Sequence, residues 1–575
     1  MAISLSAFPA RFNDYLERAH YQECGETKTA KLLDRTIGPT CRKISQNILA
    51  RVVATTVFPI FASIDLTLNL SKALIHRSIC LIAKDSNRHA LIAKACMQEA
   101  DKCFFGLISS PFSLINPDLV TRHFVPKITK NGVIEAGGKY HSAKGSEHTP
   151  ETIDQLQALI KKAIAEKMKV TLSGAHYSQS KDTLPSDSNS LCINMKKLNK
   201  VRIDTEKKTV RAQAGATWAD IQEAANRHGL AVKVMQASNV FSVGGSLSVN
   251  CHGWDHQTGT VGETVRSLTV IDQSGNIQKL TPNDELFRLC IGGHGLFAAI
   301  IEAEIELCDN EALVSCGEKI DPKDYVAYFQ SQILPDPNTV MHLYRLSLDP
   351  KNLLKEGIAV SYCKKTKKHP MQGLGVGNLI DEPEKGTRMD RIMVHLARTT
   401  PFTRSLYWKM ESARIQNEEK CLRNHIMRPP INAAFNNSRA DADWLQEYFV
   451  PGNELAPFLE NLGKTLTKND VTLLNASVRF VKKDTLSKLP YAKNQDMYAI
   501  VLFFNQSLAP EEIEKTKRWV QETIDDAHKK GGTYYLPYQH FATKEQFNTS
   551  YPDAKGLSHD ANSLFTNGLA QDYLH

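Results

Sequence analysis

The sequence predicts an α+β protein with a helical N-terminal extension. Between Thr149 and Leu307, helix-periodic runs alternate with short strand-like runs, and glycine and asparagine turns separate them. Mixed strand and helix character then continues to the C-terminus. Residues 1–130 differ: they are helical and apolar in pattern and carry no chemical motif. At about 100–200 residues per domain, 575 residues suggest roughly three or four units.

The elements follow in order. Asn131 to Glu147 is rich in Gly, Lys, His and Ser and reads as a linker. Thr149 is placed to cap a helix, with Pro150 at its first position and Glu151 near the positive end of its dipole. Leu156, Leu159, Ile160, Ala163 and Ile164 give that helix its apolar face. Lys169–Leu172 is a strand that runs into the small-residue turn Ser173-Gly174-Ala175. Val201–Ile203 and Thr209–Ala214 read as a hairpin, after which Thr217 caps a helix over Trp218–Arg227. A glycine-rich passage runs from Phe241 to Gly253. Strands at Ser267–Asp272 and Ile277–Leu280 flank a Ser-Gly-Asn turn, and a short helix covers Glu285–Arg288. The turn Gly292 to Phe297 then leads into a strand over Ala298–Leu307. Further on, Val471–Phe480 and Tyr498–Phe504 are the clearest strands and Glu511–Lys530 is a long helix.

Composition narrows the function. Hydrophobic residues make up 42% and charged residues 23%, which suits a protein with a buried core. A net charge of +8 fits an anionic cofactor, a phosphorylated substrate or an anionic membrane surface. The charge is dispersed and no nucleic-acid module is present, so no nucleic-acid partner is expected. The 12 cysteines are scattered singly without a CxxC pair, so neither a metal site nor a disulfide framework is expected, and a reducing compartment is preferred.

Met1 to Ala10 has no basic cluster or apolar core of a signal peptide. Val52 to Ser71 is long enough to cross a bilayer, but Pro59, Asp65 and Asn69 interrupt it. An ionised Asp in hydrocarbon costs roughly 2.5–3.5 kcal/mol. Residues 48–83 therefore read as a helical hairpin that covers the body of the protein or lies in a membrane interface, with a true span ranked behind both. The protein is expected to be cytoplasmic or peripherally membrane-associated.

Three glycine-containing turns, 173–178, 242–253 and 292–296, fall within one stretch. Glycine lets backbone N–H groups approach a ligand, and successive N–H groups form an anion nest suited to a pyrophosphate. The first turn follows a strand, where α/β proteins hold phosphates. Any one turn is explained equally well by tight chain reversal; their order and spacing carry the argument. No Gly-x-Gly-x-x-Gly opens a βαβ unit, and Gly373 to Gly377 reads as a loop. Walker A, HExxH and nucleophile-elbow motifs are missing.

In this order, Ser173-Gly174-Ala175, Val243-Gly244-Gly245-Ser246, Asn250-Cys251-His252-Gly253, Glu285-Leu286-Phe287 and Gly292-Gly293-x-Gly295-Leu296 resemble the FAD-binding domain of the vanillyl-alcohol oxidase and p-cresol methylhydroxylase superfamily. The likeness is nearest to the branch of sugar-lactone oxidases and decaprenylphosphoryl-ribose oxidase. A looser match covers Tyr535-Leu536-Pro537-Tyr538, Gln546-Phe547, Tyr551-Pro552 and Asp560-x-x-x-Leu564-Phe565-x-Asn567.

The resemblance implies a two-subdomain FAD-binding domain over 131–309, an α+β substrate domain over 310–510, and a segment 511–575 that returns to the flavin domain. It implies that Ser173, Gly174, Ala175, His176, Tyr177 and Ser178 wrap the FAD pyrophosphate. Ser242, Val243, Gly244, Gly245 and Ser246, with Asn250, Cys251, His252 and Gly253, would line the other side, His252 near the isoalloxazine. Many members of that family place a flavin-linking histidine where Tyr177 stands here. Non-covalent FAD is therefore expected, with linkage through His176 as the other option. Relatives often carry a lysine where Tyr538 stands.

The strand Leu445–Pro451 resembles one that faces the flavin, and alternation puts Gln446 and Tyr448 on one side and Glu447 on the other. Asn475, Ser477 and Arg479 share a strand face, which is either solvated or, through Arg479, faces an anionic substrate group. The implied reaction is oxidation of a CH–OH group by hydride transfer to flavin N5, on a sugar, lactone, lipid-linked sugar or other small molecule. His252, Tyr535, Tyr538, Gln446 and Tyr448 are the candidate catalytic residues, and the electron acceptor is open. A flavin-dependent C=C reductase on a lipidic substrate and a degenerate flavin-binding scaffold are the alternatives.

Overall fold

In the computed structural model, residues 57–79, 133–365, 393–428 and 436–575 are described, short gaps within those ranges excepted, with a few isolated positions between 103 and 111. The loop expected at Gly373 to Gly377, Asp560 and most of the N-terminal 130 residues lie outside them.

The described chain mixes helix and sheet, as an α+β protein does. A small three-stranded parallel sheet holds Glu147–His148, Ser190–Asn194 and Lys169–Ser173 in that spatial order. The helix Ile153–Ala165 covers it through the buried residues Leu156, Ile160 and Ala163. Its cap is Thr152, whose hydroxyl accepts from the Gln155 N–H, and not Thr149 as the Thr-Pro-Glu pattern suggested. The linker expected over 131–147 is also corrected. Val133–Glu135 pairs with Ser142–Lys144, and Glu147–His148 enters the parallel sheet. The polar composition hid these strands because they are only two or three residues long.

A second, antiparallel sheet runs in the order Ile277–Leu280, Val265–Ile271, Ala299–Asp309, Thr209–Gln213, Val201–Asp204, with Leu230–Val232 pairing the far end of Ala299–Asp309. The helix Trp218–Asn226 closes on it with the capping box of Thr217 and Asp220, and the Trp218 indole N–H donates to Ser246 Oγ at 2.9 Å. These two sheets share one apolar core.

The third sheet has eight strands, in the order Glu419–Leu422, Ala312–Ile320, Gly357–Cys363, Thr339–Leu346, Thr472–Val481, Met497–Ser507, Asp441–Val450, Thr533–Tyr534. The helices Gly452–Lys468 and Pro510–Lys529 pack on one of its faces through Leu455, Phe458, Leu462, Trp519 and Ile524. The long helix and Thr533–Tyr534 therefore belong with this sheet. The return towards the smaller sheets begins directly after Tyr534, where Tyr535 donates to Val249 O and Gln539 to Gln179 O, and ends where Val170 N–H donates to Leu564 O and Thr566 N–H to Val170 O, so that Phe565 lies as a short parallel bridge beside the small sheet.

One uninterrupted helix, Phe58–Ile79, occupies most of the segment expected to be a hairpin. No helix among the described residues is long and apolar enough to cross a membrane. Ser63, Thr67 and Ser71 donate to the carbonyls four residues back, which satisfies hydroxyls that would otherwise break the apolar run.

Candidate functional site

A cleft of about 1030 Å³ lies between the two smaller sheets and the open face of the eight-stranded sheet. Its floor at one end is the turn that leaves strand Lys169–Ser173. Ser173, Gly174, Ala175, His176, Tyr177 and Ser178 all line it. His176 has φ +59°, and the backbone N–H groups of Ala175, His176 and Ser178 find no acceptor among the described residues. That is an anion nest. Gly174 is required by close approach, since a Cβ there would stand 2.3 Å from Ser242 Oγ.

The nest is braced from below by a residue that composition had assigned to a linker. Glu147 accepts from Ser173 Oγ at 2.6 Å, from Asn194 Nδ2 at 3.1 Å, and faces His176 Nε2 at 3.0 Å. Burial opposes the charge on Glu147, but the hydrogen bonds from His176, Ser173 and Asn194 outweigh it and hold the carboxyl down to about 2. The Asn194 amide also lies 2.5 Å from His176 Nε2. The imidazole nitrogen is thus engaged with the sheet beneath the turn.

Across the cleft, the glycine-rich passage is a short helix, Val243–Ser248, and not a turn. Ser242, Gly244, Gly245 and Ser246 line the cleft, as do Cys251 and His252. Three expected lining residues do not reach it. Val243 is wholly buried in the core. Asn250, at φ +46°, turns inward, where its amide donates to Asp484 Oδ2 at 2.9 Å and its Oδ1 accepts from Gly262 N–H. At Gly253 a Cβ would stand 2.5 Å from the Met235 carbonyl, so glycine serves a backbone crossing.

His252, Glu447, Tyr538, Tyr535 and Arg479 all stand at the cleft wall. His252 Nε2 lies 2.5 Å from Glu447 Oε1, with both side chains almost fully buried, and His252 Nδ1 is unpaired. Tyr538 donates to Glu447 Oε2 at 3.3 Å. Burial, reinforced by the Glu447 charge, pushes the Tyr538 phenol well up, so it stays protonated. Tyr535 donates to the Val249 carbonyl at 2.8 Å, which fixes its ring beside His252 and Tyr491. Burial weakens the charged form of Arg479, while Glu447 favours it. Asn475 and Ser477 line the cleft beside Arg479, so this strand face is turned to the cleft.

The strand Asp441–Val450 carries one correction. Glu447, with Asp443 and Leu445, faces the cleft, while Gln446 and Tyr448 are buried on the other side. Tyr448 packs on Phe458 of the covering helix. Both faces of this strand are buried, one by helices and one by the cleft wall, so alternation gave the division but not its sign.

Two further groups escaped the sequence. Asp182 and His294 line the cleft, and His294 Nδ1 lies 2.9 Å from Asp182 Oδ2. His540 bridges Asp182 at 3.0 Å and Asp572 at 2.9 Å. Burial opposes a charged His540, but the two carboxylates outweigh it and raise its pKa. His294 stood inside the Gly292-Gly293-x-Gly295 motif and could have been picked out there. On the wall formed by the eight-stranded sheet, Arg345 pairs with Glu411 at 2.6 Å beside Tyr407 and Tyr362.

The nest, the glycine-lined wall and the unpaired His252 Nδ1 and Trp254 Nε1 suit a dinucleotide carrying a flavin. Comparison with known proteins agrees. A family described as FAD binding domain matches residues 148–281. Decaprenylphosphoryl-beta-D-ribose oxidase of Mycolicibacterium smegmatis is 33% identical over 24% of this chain and 32% of its own length. L-galactono-1,4-lactone dehydrogenase of Brassica oleracea is 29% identical over 29% and 28%. L-gulonolactone oxidase of Bos taurus is 21% identical over 70% and 88%. The chain spans about a third of the length of the first two. Residues 148–281 are an FAD-binding domain of the p-cresol methylhydroxylase type, and FAD is the cofactor of this chain.

Proposed function

We propose that the protein is an FAD-dependent oxidoreductase that oxidises a CH–OH group of a sugar, a sugar lactone or a lipid-linked sugar. The observation that carries this reading is the buried His252–Glu447–Tyr538 cluster in the wall of the same cleft as the nest. Ser173 to Ser178 would hold the pyrophosphate, and Ser242 to Ser246 with Cys251 and His252 the opposite edge. Bound there, FAD supplies the hydride acceptor. The chain's own residues do the rest. The His252–Glu447 pair takes the hydroxyl proton, for which a carboxylate-backed imidazole is suited. Tyr538 stays protonated and donates to Glu447, where relatives often place a lysine. Tyr535 keeps the imidazole ring in place. Arg345, Glu411, Asn475 and Arg479 offer donors and acceptors for hydroxyl groups of the substrate.

The flavin is read as non-covalent, because Tyr177 cannot form a histidyl linkage and His176 is tied to Glu147 and Asn194. We further propose that helix Phe58–Ile79 contacts a membrane surface: Ile60, Ile64, Leu68 and Ile75 are exposed along it at helical spacing.

The test is anaerobic mixing of the flavin-loaded protein with sugar lactones, aldoses and polyprenyl-phosphate sugars, followed by loss of the visible flavin band. Bleaching by one of these supports the reading. Bleaching by NADPH alone would move it to a C=C reductase.

A further inference from the structure

Two cysteines stand in contact on the side of the eight-stranded sheet turned away from the cleft. In the antiparallel pair Ala312–Ile320 and Gly357–Cys363, Val314 faces Cys363 and Cys316 faces Ser361. Cys316 and Cys363 are therefore diagonal neighbours on one face. The alternate residues Ser315, Val360 and Tyr362 point the other way and line the cleft. The two Sγ atoms are 3.7 Å apart, and Thr339 Oγ1 lies 3.5 Å from Cys363 Sγ.

A disulfide needs an S–S separation of about 2.05 Å, so a change of side-chain rotamer and a small backbone adjustment must bring the sulfurs together. Cys363 is the last residue of its strand, opposite Val314 on one side and Thr339 on the other. The hydrogen bond from Cys316, with a smaller one from Thr339, brings the Cys363 thiol below its ordinary range against the opposing effect of burial. The same contact pushes Cys316 up. By contrast, burial pushes Cys251 and Cys290 up to about 12. Cys316 is half-exposed, which gives a small oxidant a way to the pair.

We propose that Cys316 and Cys363 form a peroxide-sensitive dithiol, whose oxidation to a disulfide ties together two strands behind the cleft wall. The Cys363 thiolate attacks one oxygen of hydrogen peroxide. An S–O bond forms, the O–O bond breaks, and hydroxide leaves and is protonated to water. Cys316 sulfur then attacks Cys363 sulfur. The S–S bond forms, the S–O bond breaks, and the oxygen departs as a second water with the Cys316 proton. Two thiols are oxidised by two electrons and one peroxide is reduced to two waters.

The test treats the full, flavin-loaded chain with a small excess of hydrogen peroxide, digests it without reductant and identifies peptides by mass spectrometry. A peptide pair joined through Cys316 and Cys363 is expected. In Cys316→Ser, a sulfenic acid on Cys363 is expected to be trapped by dimedone, with Cys251 and Cys290 unlabelled. Both thiols remaining reduced while Cys251 or Cys290 oxidises would overturn the proposal. So would a Cys316→Ser protein, folded by its thermal transition, in which dimedone labels Cys363 no faster than Cys290.

Discussion

His252 Nε2 lies 2.5 Å from Glu447 Oε1, although 195 residues separate them in the chain. The first comes from the turn after the short helix Val243–Ser248, the second from the seventh strand of the eight-stranded sheet. The pair exists only when the two units are docked. It joins the FAD-binding region to the eight-stranded sheet at the cleft wall.

Glu447→Gln should keep the fold and the flavin but lose the charged partner of His252. Turnover is expected to fall by about 10²–10⁴-fold, the usual contribution of a positioned acid–base group. Steady-state kinetics beside the flavin-to-protein absorbance ratio checks this. Unchanged turnover would remove the pair from the mechanism.

Gly174→Ala places a methyl group 2.3 Å from Ser242 Oγ, where the nest meets the opposite wall. Flavin content after purification should drop sharply. Adding Ser242→Ala should restore part of it, because the nearest remaining contact of that methyl is with the Ser242 Cβ, at 3.2 Å. Failure of the second change to help would show that the loop tolerates no side chain for another reason.

Glu147 gives a pH dependence with a fixed sign. Its carboxyl is held at about 2, below its ordinary 4.5. A depressed carboxylate pKa stabilises the fold above the unfolded value, and the stabilisation is lost as pH falls through the folded one. The melting-temperature difference between the protein and Glu147→Gln should therefore be constant above about pH 4.5 and shrink between 4.5 and 2. A difference that grows on acidification would contradict the assignment.

Asp182 is buried between His294 and His540, which keep its carboxyl well below the usual range against the cost of burial. Removing one member of such a buried charged set costs about 3–5 kcal/mol. Asp182→Asn should lower the denaturation midpoint accordingly. It should also expose the C-terminal segment to proteolysis, since His540 links Asp182 to Asp572. Amide exchange over residues 564–575 reads this directly.

Acid precipitation of the purified protein should leave the yellow colour in the supernatant. A coloured pellet would mean that His176 leaves Glu147 and Asn194 to bond the flavin.

The sequence by itself determined the local elements and the cofactor. The Thr217–Asp220 capping box is complete within four residues, and the strands at 201–204 and 209–213 are declared by their β-rich runs and the turn between them. The nest at Ser173–Ser178 was legible for the same reason, since an anion nest is a property of consecutive backbone groups; Val243–Ser248 is helical instead, and the N–H groups of Gly292, Gly293 and His294 are spent on Leu247, Cys290 and Ser248. Tertiary structure decided what needed a distant partner. Whether Glu447 or Gln446 meets the cleft depended on which face the helices Gly452–Lys468 and Pro510–Lys529 would cover, and a strand buried on both sides carries no alternation to tell. Glu147 became the brace of the nest only because Glu147–His148 pairs in parallel with Cys192–Ile193, a contact that composition cannot signal. Asn250 and Gly253 had the residue types of a ligand wall, yet the chain spent them on Asp484 and Met235. Local chemistry fixes what a segment can form; burial from elsewhere in the chain fixes which of its side chains remain free to act.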